Sequence, residues 1–184
     1  MRLMSWLKYT LSVLVLAGVT ACGFQPMYGD YSAGKVTRQN LQQVKIAGVN
    51  SNENTSANSV RIGERLSQQF SNKLIDRMYK DGYPKNPTFD VVVTLTSAER
   101  EIGIQKDATA TRAELSMNAD ILLRDYKTQQ ELYRTKARTR VAYNILDGQY
   151  GTLIAKENAY DRAQDQLASD VVSRIALYLN RDNQ

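Results

Sequence analysis

Three stretches in the second half of the chain alternate apolar and polar residues. In the first, Phe89, Val91, Val93 and Leu95 alternate with Asp90, Val92, Thr94 and Thr96. In the second, Ala113, Leu115, Met117, Ala119, Ile121 and Leu123 stand against Arg112, Glu114, Ser116, Asn118, Asp120 and Leu122. In the third, Tyr133, Thr135, Ala137, Thr139, Val141, Tyr143 and Ile145 stand against Arg134, Lys136, Arg138, Arg140 and Asn144. A period of two puts each set on one face of a strand. One apolar and one polar face predict an antiparallel sheet covered on one side only. The turn from Asp125 to Gln129 predicts a register in which facing residue numbers sum to about 256.

The flanking stretches carry a helical period. Ile62, Leu66, Phe70, Leu74 and Met78 recur every fourth residue, with Arg61, Gln68 and Lys80 opposite. Asn58 or Ser59 is placed to cap this helix, and Asp81-Gly82 followed by Pro84 and Pro87 stops it. Tyr160, Ala163, Leu167, Val171, Ile175 and Leu179 form a second stripe, predicting a helix from about Leu153 to Leu179 after the breaks at Asp147-Gly148 and Gly151. Val44 to Val49 reads as a short first strand, and residues 50–59 as a polar loop. The sum is an α+β domain of two layers. It has a mainly antiparallel four-stranded sheet and two helices on one face, in the order β-α-β-β-β-α.

The N-terminus has a different character. Leu11 to Ala21 is an apolar run behind Arg2 and Lys8, the order of charge, grease and small residues that marks a secretory signal. Eleven helical residues rise about 16 Å, roughly half of a bilayer core, so the run predicts a cleaved segment rather than a span. It ends at Val19-Thr20-Ala21-Cys22, and Cys22 is the only cysteine. This tetrapeptide resembles a bacterial lipobox, in which small residues fit the peptidase and the thiol takes up a diacylglyceryl group. The plainer alternative is an ordinary signal beside a chance cysteine. The expected layout is a signal peptide over 1–21, a lipidated tether over 22–40 and one domain over 41–184. Residues 23–40 extended would reach roughly 60 Å.

Composition narrows the chemistry. The chain has 24 basic and 19 acidic residues; without Arg2 and Lys8 the balance is 22 to 19. That charge density does not suggest a nucleic-acid partner. There is no histidine, which excludes Ser-His-Asp triads, Cys-His pairs and histidine metal sites. No catalytic or metal-ligating constellation stands out, and no cofactor is expected. A lipid-anchored hydrolase using carboxylates or a Ser/Lys pair would need a concave pocket holding a strongly perturbed group.

Directly after the cysteine, Gly23-Phe24-Gln25-Pro26-Met27-Tyr28-Gly29 resembles the mature start of LptE-type lipopolysaccharide-assembly lipoproteins, and the order of elements resembles them to the C-terminus. The resemblance implies a non-enzymatic protein anchored in the inner leaflet of the outer membrane, on the periplasmic side. It implies a plug inside the LptD β-barrel that helps the barrel assemble and helps deliver lipopolysaccharide to the surface. Gly23 stands where an aspartate would mark retention in the inner membrane. A lipoprotein serving as pilot for another envelope complex, such as a secretin, would have the same composition.

One feature of the polar face points to a ligand. Arg134, Lys136, Arg138 and Arg140 form a basic ladder on alternate positions of one strand. Alternate residues lie about 6.6 Å apart, so the ladder spans roughly 20 Å. Cations at that spacing suit phosphorylated sugars or acidic side chains. The same ladder also fits a solvated sheet face, with Asp120 opposite Lys136 and Glu114 diagonal to Arg140. Of the eleven tyrosines, Tyr133 and Tyr143 fall on the core face, while Tyr126 and Tyr150 border loops and offer contact area to a partner.

Overall fold

The computed structural model describes residues 32–51, 57–104, 110–146 and 148–181. The signal segment, Cys22 and the tether up to residue 31 lie outside the described residues, as do the side chains of Arg61 and Ile62. The elements are α1 (Ser32–Leu41), β1 (Val44–Ser51), α2 (Ala57–Met78), β2 (Phe89–Ile104), β3 (Ala110–Asp125), β4 (Glu131–Asn144) and α3 (Gln149–Arg181). Thr37–Gln184 forms one compact unit.

The four strands make one sheet in the order β1-β2-β3-β4. β2 pairs with β3 and β3 with β4, both antiparallel. The helical crossover through α2 returns the chain to the end where β1 began, so β1 and β2 are parallel. The sheet is therefore mixed: the three alternating strands are antiparallel as read, and the correction is the parallel pairing of β1 with β2. The β3–β4 register has facing numbers that sum to 256, from Arg112–Asn144 to Leu123–Tyr133; a bulge then shifts it at Leu123/Arg124. Asp125 fixes the turn. Its Oδ1 accepts from the amides of Lys127 and Thr128 at 2.9 and 2.7 Å, and from the Thr128 hydroxyl at 3.0 Å. The Thr128 bonds hold this carboxyl below its ordinary pKa.

The core lies between the apolar sheet face and two helices. Val91, Val93, Leu95, Leu115, Met117, Ala119, Ile121, Leu123 and Ala137 are buried on the sheet side. Leu66, Phe70, Leu74 and Met78 of α2 and Ala163, Leu167, Val171, Ile175 and Leu179 of α3 are buried above them. Helix α2 packs on β1 and on α3, and α3 packs on β3 and β4. The centre of each stripe read from the sequence is thus buried, as non-directional burial of apolar surface requires, while Phe89 and Tyr160 at the ends of theirs are half-buried.

The differences lie where polar residues take structured positions. Helix α1 lies outside the expected elements; it takes in residues 32–40 of the segment read as tether. Thr37 and Leu41 are buried. Asn180 Nδ2 donates to Thr37 Oγ1 at 2.9 Å, and Asn40 Nδ2 donates to Asn180 Oδ1 at 3.0 Å. Strand β2 runs on through the polar residues 97–104, because the backbone ladder with β3 continues past the apolar stretch. Helix α2 starts at Ala57, which places Asn58 and Ser59 inside its first turn rather than at its cap. Helix α3 starts at Gln149 and includes Gly151. The Thr152 hydroxyl stabilises this start: it accepts from the Leu146 amide at 2.8 Å and donates to the Leu146 carbonyl at 2.9 Å.

Candidate functional site

The polar face of β2, β3 and β4 carries the candidate site. Its cations come from even-numbered positions of β4, whose odd-numbered neighbours Ala137 and Val141 are buried in the core. Core packing therefore fixes the direction in which the ladder points. The structure places Arg134, Lys136, Arg138 and Arg140 together on this face, opposite Leu122, Asp120, Asn118 and Ser116 of β3.

Their partners divide the ladder into two halves. Arg134 grips Glu131 through two bonds, Nε to Oε1 at 2.9 Å and Nη2 to Oε2 at 2.7 Å. Those bonds hold the Glu131 carboxyl below its ordinary pKa and push the guanidinium up. Lys136 Nζ lies 3.0 Å from Asp120 Oδ1, the cross-strand pair that the register predicts. These two cations are neutralised. Arg138 Nε instead donates to the uncharged Asn118 Oδ1 at 2.7 Å, and Asn118 Nδ2 reaches Thr96 Oγ1 at 3.4 Å. Arg140 makes no ion pair among the described residues. Glu114, expected diagonal to it, is held by Arg100 at 3.2 Å. The net positive charge thus collects at Arg138 and Arg140, beside the small polar side chains of Thr96, Ser116 and Asn118.

The tyrosines separate by environment. Tyr133 stacks on Tyr178 of α3 with ring centroids 4.5 Å apart, and Tyr143 is buried. Tyr126 and Tyr150 are exposed; the Lys45 ammonium sits 5.2 Å above the Tyr126 ring.

Sequence reading missed a charged cluster on the other face. Glu99 occupies a core-side position of the extended β2. Its Oε2 accepts from Tyr143 at 3.1 Å, and its Oε1 accepts from Tyr160 at 2.8 Å and pairs with Lys156 at 2.9 Å. Burial alone would raise its pKa, but Lys156 and the two phenols outweigh burial, and the carboxyl lies below its ordinary value. Burial and the adjacent Glu99 charge push the Tyr143 hydroxyl up to about 12. The cluster ties β2, β4 and α3 together. Its sequence signal was the odd parity of Glu99, continuous with Leu95 and Ser97. Among the described residues, no group of three acidic, cysteine or histidine side chains could hold a metal. No described helix is long and apolar enough to cross a membrane.

Comparison with solved structures defines the class of this domain. A candidate lipoprotein of Caulobacter crescentus CB15 aligns with a TM-score of 0.57 at 18% identity, covering 80% of this chain and 97% of that one. The rare lipoprotein B of Shewanella oneidensis aligns with a TM-score of 0.53 at 10% identity, covering 74% and 98%. Lipoprotein B of Nitrosomonas europaea aligns with a TM-score of 0.50 at 14% identity, covering 76% and 88%. At these identities the likeness is one of fold: the α+β domain found in these small lipoproteins. The sequence carries the assignment further. The model of the LptE lipopolysaccharide-assembly family matches residues 41–175, and the chain belongs to that family. It is an envelope lipoprotein of lipopolysaccharide assembly, from a family that is not enzymatic. No curated protein sequence matches the chain significantly.

Proposed function

We propose that this protein is the lipid-anchored plug of an LptD β-barrel. In this reading Cys22 carries fatty chains that hold the domain at the inner leaflet of the outer membrane. The domain helps the barrel assemble and helps pass lipopolysaccharide to the outer leaflet. A polar sheet face suits a water-filled lumen, and a domain with a packed core offers a rigid filling. The observation that carries the ligand assignment is the uneven ladder. Arg134 and Lys136 are paired with carboxylates, whereas Arg138 and Arg140 keep their charge for a phosphorylated sugar.

Two measurements test this reading. The lipidated protein, purified from envelope extracts, should bring down a large barrel at about one to one; its absence would sink the plug role. Arg138→Ala with Arg140→Ala should weaken lipopolysaccharide binding roughly tenfold at low salt, with the difference shrinking as salt screens the charges. Thermal stability should change little, since exposed substitutions shift it by about 0.5 kcal/mol or less. Unaltered affinity would return the ladder to ordinary solvated surface.

A further inference from the structure

Among the described residues β1 and β4 are the edge strands of the sheet, and the two edges are treated differently. The β4 edge bears alternate cations, which discourage strand addition. The β1 edge is closed over half its length. The Tyr79 hydroxyl accepts from the Ile46 amide and donates to the Val44 carbonyl, both at 2.9 Å. One phenol thereby occupies the places where a neighbouring strand would bond.

Beyond Tyr79 no described residue pairs with the edge. A register shift between Ile46 and Gly48 moves β1 along by one residue. From there, parallel pairing turns the backbone of Gly48 and Asn50 toward β2 and that of Val49 and Ser51 outward. This segment, Gly48-Val49-Asn50-Ser51, contains no charge and no proline. Alongside it runs a groove of about 540 Å³ between β1 and α2. The α2 side contributes Glu64, Ser67, Gln68, Ser71 and Asn72, all polar. Ser67 is 8% exposed, and its Oγ has no hydrogen-bond partner among the described residues.

We propose that this groove binds an extended peptide segment of a partner protein, which adds to the outer edge of β1 as a fifth strand. Backbone groups spaced two residues apart along Val49 and Ser51 match the repeat of another peptide backbone. Small polar side chains on the incoming strand, serine or threonine, reach Ser71 and Asn72. Glu64, the single charged residue lining the groove, favours one lysine or arginine in the segment. This surface lies on the edge opposite to the basic ladder, and the inference does not depend on what that ladder binds.

The probe is a phage-displayed library of random heptapeptides panned on the full chain, followed by synthesis of the enriched peptides. Enrichment of alternating serine or threonine with one basic residue is expected. Bound peptide should slow amide hydrogen exchange at Val49 and Ser51 at least tenfold. Ser51→Pro, which deletes one outward amide, should weaken binding at least tenfold. Asn72→Ala should weaken it about threefold without lowering the melting temperature. Ser71→Lys, on the half-exposed rim, should also abolish binding while the circular dichroism spectrum stays unchanged. The proposal is overturned if no peptide is enriched, if protection falls elsewhere, or if the variants bind as the parent does. It is equally overturned if lipopolysaccharide core sugars protect Val49 and Ser51 instead, or if the free chain already protects them through its own N-terminal segment or self-association.

Discussion

Among single residues, Glu99 shows how a charge is accommodated at the core boundary. A carboxylate there must be compensated, and Lys156, Tyr143 and Tyr160 do so from two other elements. The compensation makes stability depend on pH at both ends. The folded pKa of Glu99 lies below its ordinary 4.5, so its contribution is complete above that value and is lost as pH falls through the folded one. Tyr143 is raised from 10.0 to about 12, so its contribution is complete below 10 and disappears as pH rises toward 12. In denaturant titrations, the stability gap between the parent chain and Glu99→Gln should narrow below about pH 4.5. Tyr143→Phe should cost about 1.5 kcal/mol at neutral pH, as loss of a bond to a charged group does, and should flatten the alkaline decline. A pH-independent gap for both variants would mean the cluster is not ionised as described. The ladder follows the same logic in reverse, since the two arginines without carboxylate partners gain from an external anion.

At the level of elements, periodicity was legible wherever apolar surface had to be buried. Leu66, Phe70 and Leu74 identified α2, and Leu115 to Leu123 identified β3 with its facing register. The rest was written in polar contacts that leave no periodic mark. Helix α1 is held through Thr37 and Asn40 by one amide, and β2 beyond Ser97 is held by backbone pairing. The site was half legible: β4 displayed its four cations openly, but which of them are neutralised depended on Glu131 and on Asn118, and no spacing rule reads those choices. Gly151 read as a breaker yet sits in the first turn of α3. The nearest atoms to a Cβ there belong to the Leu146 side chain, with Cδ1 at 2.9 Å, and Leu146 is 52% exposed and free to turn aside. Gly151→Ala should therefore stabilise the domain by about 0.5–1 kcal/mol, the usual gain over glycine in a helix. A lower melting temperature would show that Leu146 cannot move.

For the molecule as a whole, the proposed function hangs the folded domain from a lipid anchor at Cys22. Cys22→Ala should leave the domain folded, with an unchanged melting temperature, yet recovered from the soluble fraction of cells instead of the outer membrane. Retention in the membrane without a barrel present would remove the anchor from the account. Under such tethering, the Thr37–Asn40–Asn180 contact acquires a mechanical meaning. The first helix and the last helical turn meet at the same seam, where the carboxamides of Asn40 and Asn180 stitch the two together. Tension arriving from upstream is shunted into the longest helix before it can peel the first strand from its neighbour. A tug from the bilayer would thus strain the hem of the fabric while its weave stayed whole.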